Sequence, residues 1–127
     1  MWGEGIVMLL VIAIAMVVVF GLQAWNRRGK GQKVAPAQVF KIHMLVGVLT
    51  LVFFLVHGLP KILGGYAPLP NMVTGVALGV VLLATVLLGA YTKSSRGALR
   101  KALARYHGIG ATVALVLLVV HVGLAIF

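Results

Sequence analysis

The sequence predicts an all-α protein, a transmembrane four-helix bundle, from the length of its apolar segments and the placement of its charges. Hydrophobic residues make up 62% of the 127 residues and charged residues only 9%, whereas soluble domains are about half apolar and a quarter charged. A helix needs roughly 20 apolar residues to cross a bilayer, where its backbone polar groups are paired internally. Four segments meet this length within a single domain, 1–127: residues 5–25, 39–59, 71–91 and 106–127.

These segments differ in their local sequence. The first, 5–25, has no charge and no basic start, so we expect a retained signal anchor rather than a cleaved signal peptide. In the third segment, Gly75 and Gly79 have the small-xxx-small spacing that lets helices approach closely. We expect this pair to pack within the bundle, with dimerisation as the alternative. Pro68 and Pro70 predict a turn between the second and third segments.

A short amphipathic helix is predicted just before the fourth segment, in the sequence SSRGALRKALAR. Ser95 is a suitable N-cap, because a serine hydroxyl can accept a hydrogen bond from the first turn of a helix. We expect this segment to act as a lipid-facing charged turn, and docking of a partner is the alternative.

Charge is concentrated in the first and third connections. They contain ten of the eleven Lys and Arg residues, namely Arg27, Arg28, Lys30, Lys33, Lys41, Lys93, Arg96, Arg100, Lys101 and Arg105. Because positive residues mark the cytoplasmic side of a membrane, we expect these connections in the cytoplasm and both termini outside. The net charge of +10 then faces anionic lipid headgroups, and nucleic acid is not an expected partner.

The four histidines of the chain form two pairs with the same spacing. His43 and His57 are fourteen residues apart in the second segment, as are His107 and His121 in the fourth. In a left-handed bundle fourteen residues are two heptads, so each pair lies on one face of its helix. The two members of a pair are about 21 Å apart along the helix, which is too far for one small metal site.

The second and fourth segments run in the same direction in this topology, so equal depth pairs their histidines. His43 then faces His107 at the inner level and His57 faces His121 at the outer level. Zinc takes four ligands, or three and a water, whereas haem takes two axial ligands. The chain has no Cys for covalent attachment and only one acidic residue. The spacing therefore predicts two haem b groups between parallel helices, with these pairs as the iron ligands.

Further cofactor-binding residues are predicted around the histidines. Small or polar residues on the facing stripes leave room for a flat ring; they are Gly47, Thr50, Gly110, Ala111 and Ala114. Lys41, Arg105 and Lys61 are candidates for pairing with haem propionates. The alternatives are ordinary helix contacts for the small residues, snorkelling to headgroups for the basic ones, and packed core positions for the histidines.

The two helices with fourteen-residue histidine spacing resemble the four-helix haem core of the cytochrome b family of respiratory and photosynthetic bc-type complexes. The resemblance covers about residues 5–127 and implies that the second and fourth helices each give one ligand to each of two b haems. The family's Pro-Glu-Trp-type quinone segment has no counterpart in this chain. The histidine pairs, with residues such as Leu51/Leu115 and Val52/Val116, also align at an offset of 64. Duplication of a two-helix hairpin and deliberate design both explain this repeat.

The sequence thus predicts a b-type dihaem membrane cytochrome that carries electrons across the bilayer. No flavin, nicotinamide or iron–sulfur motif is present, so the electron donor and acceptor are expected to be a redox protein or a quinone. An enzymatic activity toward quinol or superoxide would need a further site. The alternative is a non-catalytic anchor or scaffold subunit of a larger complex.

Overall fold

The computed structural model describes residues 35–126 continuously and, before them, only residues 7, 10, 14, 17, 18, 21, 22, 24, 25, 28 and 29. Between residues 35 and 126 the chain forms three helices: α1 (Pro36–Gly64), α2 (Leu69–Ser94) and α3 (Gly97–Ile126). The all-α fold class is confirmed. The first predicted segment, 5–25, lies largely outside the described residues, so the count of four helices and the orientation in the membrane stay predictions.

All three helices are long and apolar enough to cross a bilayer. Their many exposed apolar side chains, such as Val56 at 69% and Val119 at 63% exposure, are typical of surfaces that face lipid rather than water. The protein is therefore a helical membrane protein. Each helix begins before its predicted segment, at Pro36, Leu69 and Gly97 rather than at residues 39, 71 and 106.

The turn between α1 and α2 was predicted correctly. Gly65 has a φ of +64°, a left-handed conformation that glycine adopts without steric cost, and it follows the last residue of α1. Pro70 lies in the first turn of α2, where the missing N–H of proline removes no helical hydrogen bond. Pro60, in contrast, lies inside α1, where it cannot donate the usual bond to the carbonyl four residues earlier.

The connection between α2 and α3 differs from its prediction. Ser95 does not cap a separate short helix: its N–H and its Oγ donate to the Tyr91 carbonyl at 3.0 and 2.7 Å, so it closes the end of α2. The predicted amphipathic helix is instead the beginning of α3, which starts at Gly97 and runs without a break. Residues 98–105 are mostly Ala, Leu, Arg and Lys, all strong helix formers, and nothing there interrupts the helix before Tyr106.

The chain divides into two compact units, residues 1–53 and 54–127. In the first unit, α1 begins at Pro36, and the side chains of residues 37–53 are half-buried or exposed. In the second unit, α2 and α3 pack as an antiparallel hairpin. Its most buried side chains are Leu78, Thr85, Ala114 and Leu118, all 7% exposed or less. This helix contact positions two of the four histidines.

Candidate functional site

The two histidines of α3 lie against glycines of α2. A Cβ placed on Gly89 would lie 3.0 Å from Cε1 of His107, and one on Gly75 would lie 3.2 Å from Cε1 of His121. Gly75 and Gly89 are fourteen residues apart, as are the two histidines. In the antiparallel contact, each imidazole ring therefore packs directly against the backbone of a glycine. We call these places the Gly89 seat and the Gly75 seat.

In the Gly89 seat, a backbone carbonyl fixes the tautomer of the histidine. Nδ1 of His107 lies 2.8 Å from the carbonyl oxygen of Thr85. A carbonyl only accepts hydrogen bonds, so Nδ1 must carry the proton. The lone pair of the neutral ring is then on Nε2, the nitrogen farther from the backbone.

In the Gly75 seat, a threonine hydroxyl has the same effect. Nδ1 of His121 lies 3.0 Å from Oγ1 of Thr74. That hydroxyl donates its only proton to the carbonyls of Pro70 at 2.9 Å and Asn71 at 3.2 Å. Its oxygen can therefore accept from Nδ1 of His121, and the backbone of Asn71 also hydrogen-bonds this imidazole. The His121 ring consequently also holds a proton on Nδ1 and a lone pair on Nε2.

His57, on the last turns of α1, contacts Lys61. The Nζ atom of Lys61 lies 3.1 Å from Nε2 of His57, one helical turn away. An ammonium group only donates, so Nε2 of His57 accepts and holds a lone pair here as well. Lys61 is also close enough for its charge to act on the imidazole of His121. The structure thus brings His57, Lys61 and His121 to one end of the second unit.

His43 belongs to the first unit, in which its side chain is half-buried. Its predicted pairing with His107 stays a prediction. On the same stretch of α1, Thr50 donates its hydroxyl to the Val46 carbonyl at 2.8 Å, a bond within the helix. A Cβ on Gly47 would meet nothing within 4 Å. Lys41 is exposed.

The small residues predicted around the histidines of α3 have different surroundings. Gly110 packs against the side chain of Thr85, and Ala114 is only 6% exposed, within the contact with α2. Ala111 and Arg105 are exposed. Gly110 and Ala114 therefore let α2 approach α3, the role that small residues commonly have between membrane helices. Their assignment to a cofactor stays a prediction.

The glycine pair singled out in the third segment packs within the chain, as expected. Gly75 meets His121, and Gly79 meets the ring of Phe54 from α1. The sequence reasoning missed Gly89 and the acceptors at Thr74 and Thr85. One signal was available: positions 75 and 89 of α2 repeat the fourteen-residue spacing of the histidines.

Among the described residues, no three His, Asp or Glu side chains converge on a point that could hold a metal ion. Axial ligation of haem uses only two protein ligands. Comparison with known proteins finds no matching family model. It also finds no significantly similar curated protein and no significantly similar solved structure.

Proposed function

We propose that this protein is a b-type dihaem membrane cytochrome that carries electrons across the bilayer. His57 and His121 would ligate the iron near one face, and His43 and His107 the iron near the other. The observation that carries the proposal is the shared position and tautomer of His107 and His121. Both rings lie in glycine seats fourteen residues apart, with a proton on Nδ1 and a lone pair on Nε2.

The tautomer with a proton on Nδ1 and a lone pair on Nε2 is suited to bind iron through Nε2. A metal-ligating histidine usually donates its second ring N–H to a carbonyl or another acceptor, which fixes the ring and increases its basicity. The Thr85 carbonyl and the Thr74 hydroxyl provide such acceptors at 2.8 and 3.0 Å. A histidine that served only packing would not require the same nitrogen to be protonated at two positions two heptads apart.

Bound haem would supply the one-electron redox chemistry. The protein contributes the nitrogen ligands, their orientation and an apolar surrounding. Around the histidines of α3 the helix contact is lined by Leu78 and Leu118, at 2% and 7% exposure. This packing excludes water, and a dry surrounding is one of the levers by which a protein sets a haem potential.

Lys61 has to rearrange for His57 to act as a ligand. Its Nζ lies 3.1 Å from Nε2 of His57, on the nitrogen that iron would take. Lys61 is exposed and has a long, flexible stem, so it can turn away at small cost. A propionate is a suitable partner for the displaced ammonium, in keeping with its predicted role.

The optical spectrum of the purified protein, with a haem-to-protein ratio, tests this proposal. We expect a red protein with two haem groups per chain that acid–acetone extracts, because no Cys is present to hold them covalently. Both should be low-spin, six-coordinate and slow to bind carbon monoxide, since two histidines fill the axial positions. A colourless protein after expression with ample haem would contradict the proposal and favour an anchor or scaffold subunit.

A further inference from the structure

The strongest charged patch on the second unit lies where α3 begins. Arg96, Arg100, Lys101 and Arg105 all fall within ten residues of sequence and are all exposed. We call these four residues the basic turn. The whole chain has one acidic side chain, Glu4, against eleven Lys and Arg residues. The charge of the basic turn therefore cannot be neutralised by carboxylates of the protein itself.

Positive charge at this position is unfavourable for the helix itself, for two reasons. The first turn of α3 contains no acidic residue, although the amino end of a helix favours negative charge. Arg96 and Arg100 are four residues apart, as are Lys101 and Arg105, and like charges at this spacing repel one another. Neither effect favours this charge within the helix, so its reason lies outside the chain, and attraction to an anionic surface supplies one.

Apolar and aromatic groups surround the basic turn. Leu99 and Tyr106 on α3 are each 59% exposed, and Tyr91 near the end of α2 is 63% exposed. The Tyr91 carbonyl accepts bonds from Ser95, which holds this tyrosine next to the turn. Tyrosines are enriched at the level of lipid headgroups, where the ring is in apolar surroundings and the hydroxyl is in water.

We propose that the basic turn is a docking surface for the phosphate groups of anionic phospholipids, which it selects over zwitterionic lipids. A bilayer surface matches this patch in two ways. Lipid phosphates can pair with the guanidinium and ammonium groups, and the apolar part of the bilayer can receive the exposed tyrosines and leucine. The two exposed tyrosines favour lipid over an acidic soluble protein as the partner, because tyrosine is enriched at the level of lipid headgroups. This proposal does not depend on haem binding.

The test compares lipid preference in vesicles that contain the full-length protein. Spin-labelled phosphatidylglycerol and phosphatidylcholine are added separately, and electron spin resonance measures the fraction of each that the protein immobilises. We expect wild type to favour phosphatidylglycerol by about threefold or more, since basic residues near a membrane surface attract anionic lipid. Raising the salt from about 0.05 M to about 0.5 M should reduce this preference by screening.

The variant Arg96→Gln/Arg100→Gln/Lys101→Gln should bring the preference close to one. Its matched control, Arg27→Gln/Arg28→Gln/Lys30→Gln, removes the same charge from the first connection and should keep most of the preference. A second control, Arg96→Lys/Arg100→Lys/Lys101→Arg, keeps the charge and should behave like wild type, which separates charge from folding. Circular dichroism checks the helix content of every variant.

Two results would overturn the proposal. One is an equal loss of preference in both neutralised variants, which would assign the effect to net charge rather than to the basic turn. The other is tight binding of soluble polyglutamate to the detergent-solubilised wild type, together with no preference for phosphatidylglycerol in vesicles. That outcome would make an acidic protein the partner of this surface.

Discussion

The two seats on α2 hold their histidines in the same way but with different acceptors. Each ring lies over a glycine, at a spacing that α2 and α3 share. Nδ1 of His107 bonds to a backbone carbonyl at 2.8 Å, whereas Nδ1 of His121 bonds to a side-chain hydroxyl at 3.0 Å. The same tautomer is thus fixed by a backbone carbonyl alone in one seat and by a replaceable hydroxyl together with the backbone of Asn71 in the other.

This difference makes the two seats unequal toward mutation. A backbone carbonyl persists whatever side chain is substituted, so the Gly89 seat should tolerate changes at Thr85. The Gly75 seat should depend on the Thr74 hydroxyl, which also donates to Pro70 and Asn71. Substitutions at the two seats therefore separate the contribution of the acceptor from that of the glycine.

Removal of the histidines has the largest expected effect. His107→Ala and His121→Ala should each reduce the haem content from two per chain to one, because an iron that loses one axial ligand from an apolar site is held weakly. His43→Ala should remove the same haem as His107→Ala, and His57→Ala the same as His121→Ala. Absorption spectra and haem extraction measure this. A spectral phenotype shared by His43→Ala and His121→Ala would contradict the parallel pairing.

Loss of the Thr74 hydroxyl has the next largest expected effect. Thr74→Val removes the hydroxyl acceptor for Nδ1 of His121 but keeps the Asn71 backbone. It should weaken binding of the corresponding haem by about tenfold, the low end of the range for partners of metal-bound histidines. Thr85→Val keeps the carbonyl that His107 uses and should leave its haem affinity nearly unchanged. Titration of the haem-free protein with haemin measures both affinities.

Thr74→Ser is the matched control, since it retains the hydroxyl and should restore the affinity. Equal losses in Thr74→Val and Thr85→Val would show that the side chains act through packing, and the contrast between the two seats would not hold.

Substitution of the two seat glycines should have a smaller effect on haem binding. The effect should be larger where the new Cβ lies closer to the histidine ring. Gly89→Ala places a Cβ 3.0 Å from the His107 ring, and Gly75→Ala places one 3.2 Å from the His121 ring. Crowding costs about 1–3 kcal/mol, while replacing glycine in a helix returns about 1 kcal/mol. We therefore expect the unfolding free energy to fall by about 0–2 kcal/mol. The rings should tilt, and haem binding should weaken by up to about tenfold, more for Gly89→Ala.

Gly108→Ala is the control for these two variants, because its Cβ meets nothing within 4 Å. It should leave haem affinity unchanged and stabilise α3 slightly. If Gly89→Ala bound haem as tightly as Gly108→Ala, the Gly89 seat would have no part in positioning His107.

The smallest expected effect concerns the two haem potentials. Positive charge favours the reduced iron, and ten of the eleven basic residues belong to the predicted inner side, so the inner haem should have the higher potential. Lys61→Gln should lower the outer potential by tens of millivolts, on the order expected for one solvent-screened charge. Lys61→Arg should leave it unchanged. Redox titration beside His43→Ala assigns the components, and an outer potential above the inner one would contradict the electrostatic argument.

The apolar segments were enough to predict three helices but not where they end. Segment length predicts the part of a helix that lipid surrounds, whereas the extension of α3 back to Gly97 depends on the helix-forming residues between Gly97 and Tyr106. Ser95 was misassigned because a serine between two helices can serve either one. In the structure Ser95 bonds to the Tyr91 carbonyl and so belongs to the end of α2. A hydropathy pattern does not show which of the two helices such a serine caps.

The histidines were found from sequence, but their surroundings were not. Their spacing is a property of one helix, and two heptads can be read directly along the chain. The glycine and acceptor of each seat come from α2, and which of its residues meet His107 and His121 depends on the antiparallel register. That register is set by packing around Leu78, Thr85 and Ala114, which no local pattern specifies.

The two-residue connection between α2 and α3 also bears on how the protein enters a membrane. Only Ser95 and Arg96 lie between the two helices. The helices can therefore pack against each other as soon as both are made and insert together as a hairpin. A hairpin that led with its turn would carry five basic side chains, Lys93 and those of the basic turn, through the hydrocarbon, at about 2.5–3.5 kcal/mol for each. The free ends of α2 and α3 carry no such charge within the helices. Biosynthesis should therefore leave the turn on the side where the chain is made and translocate both far ends.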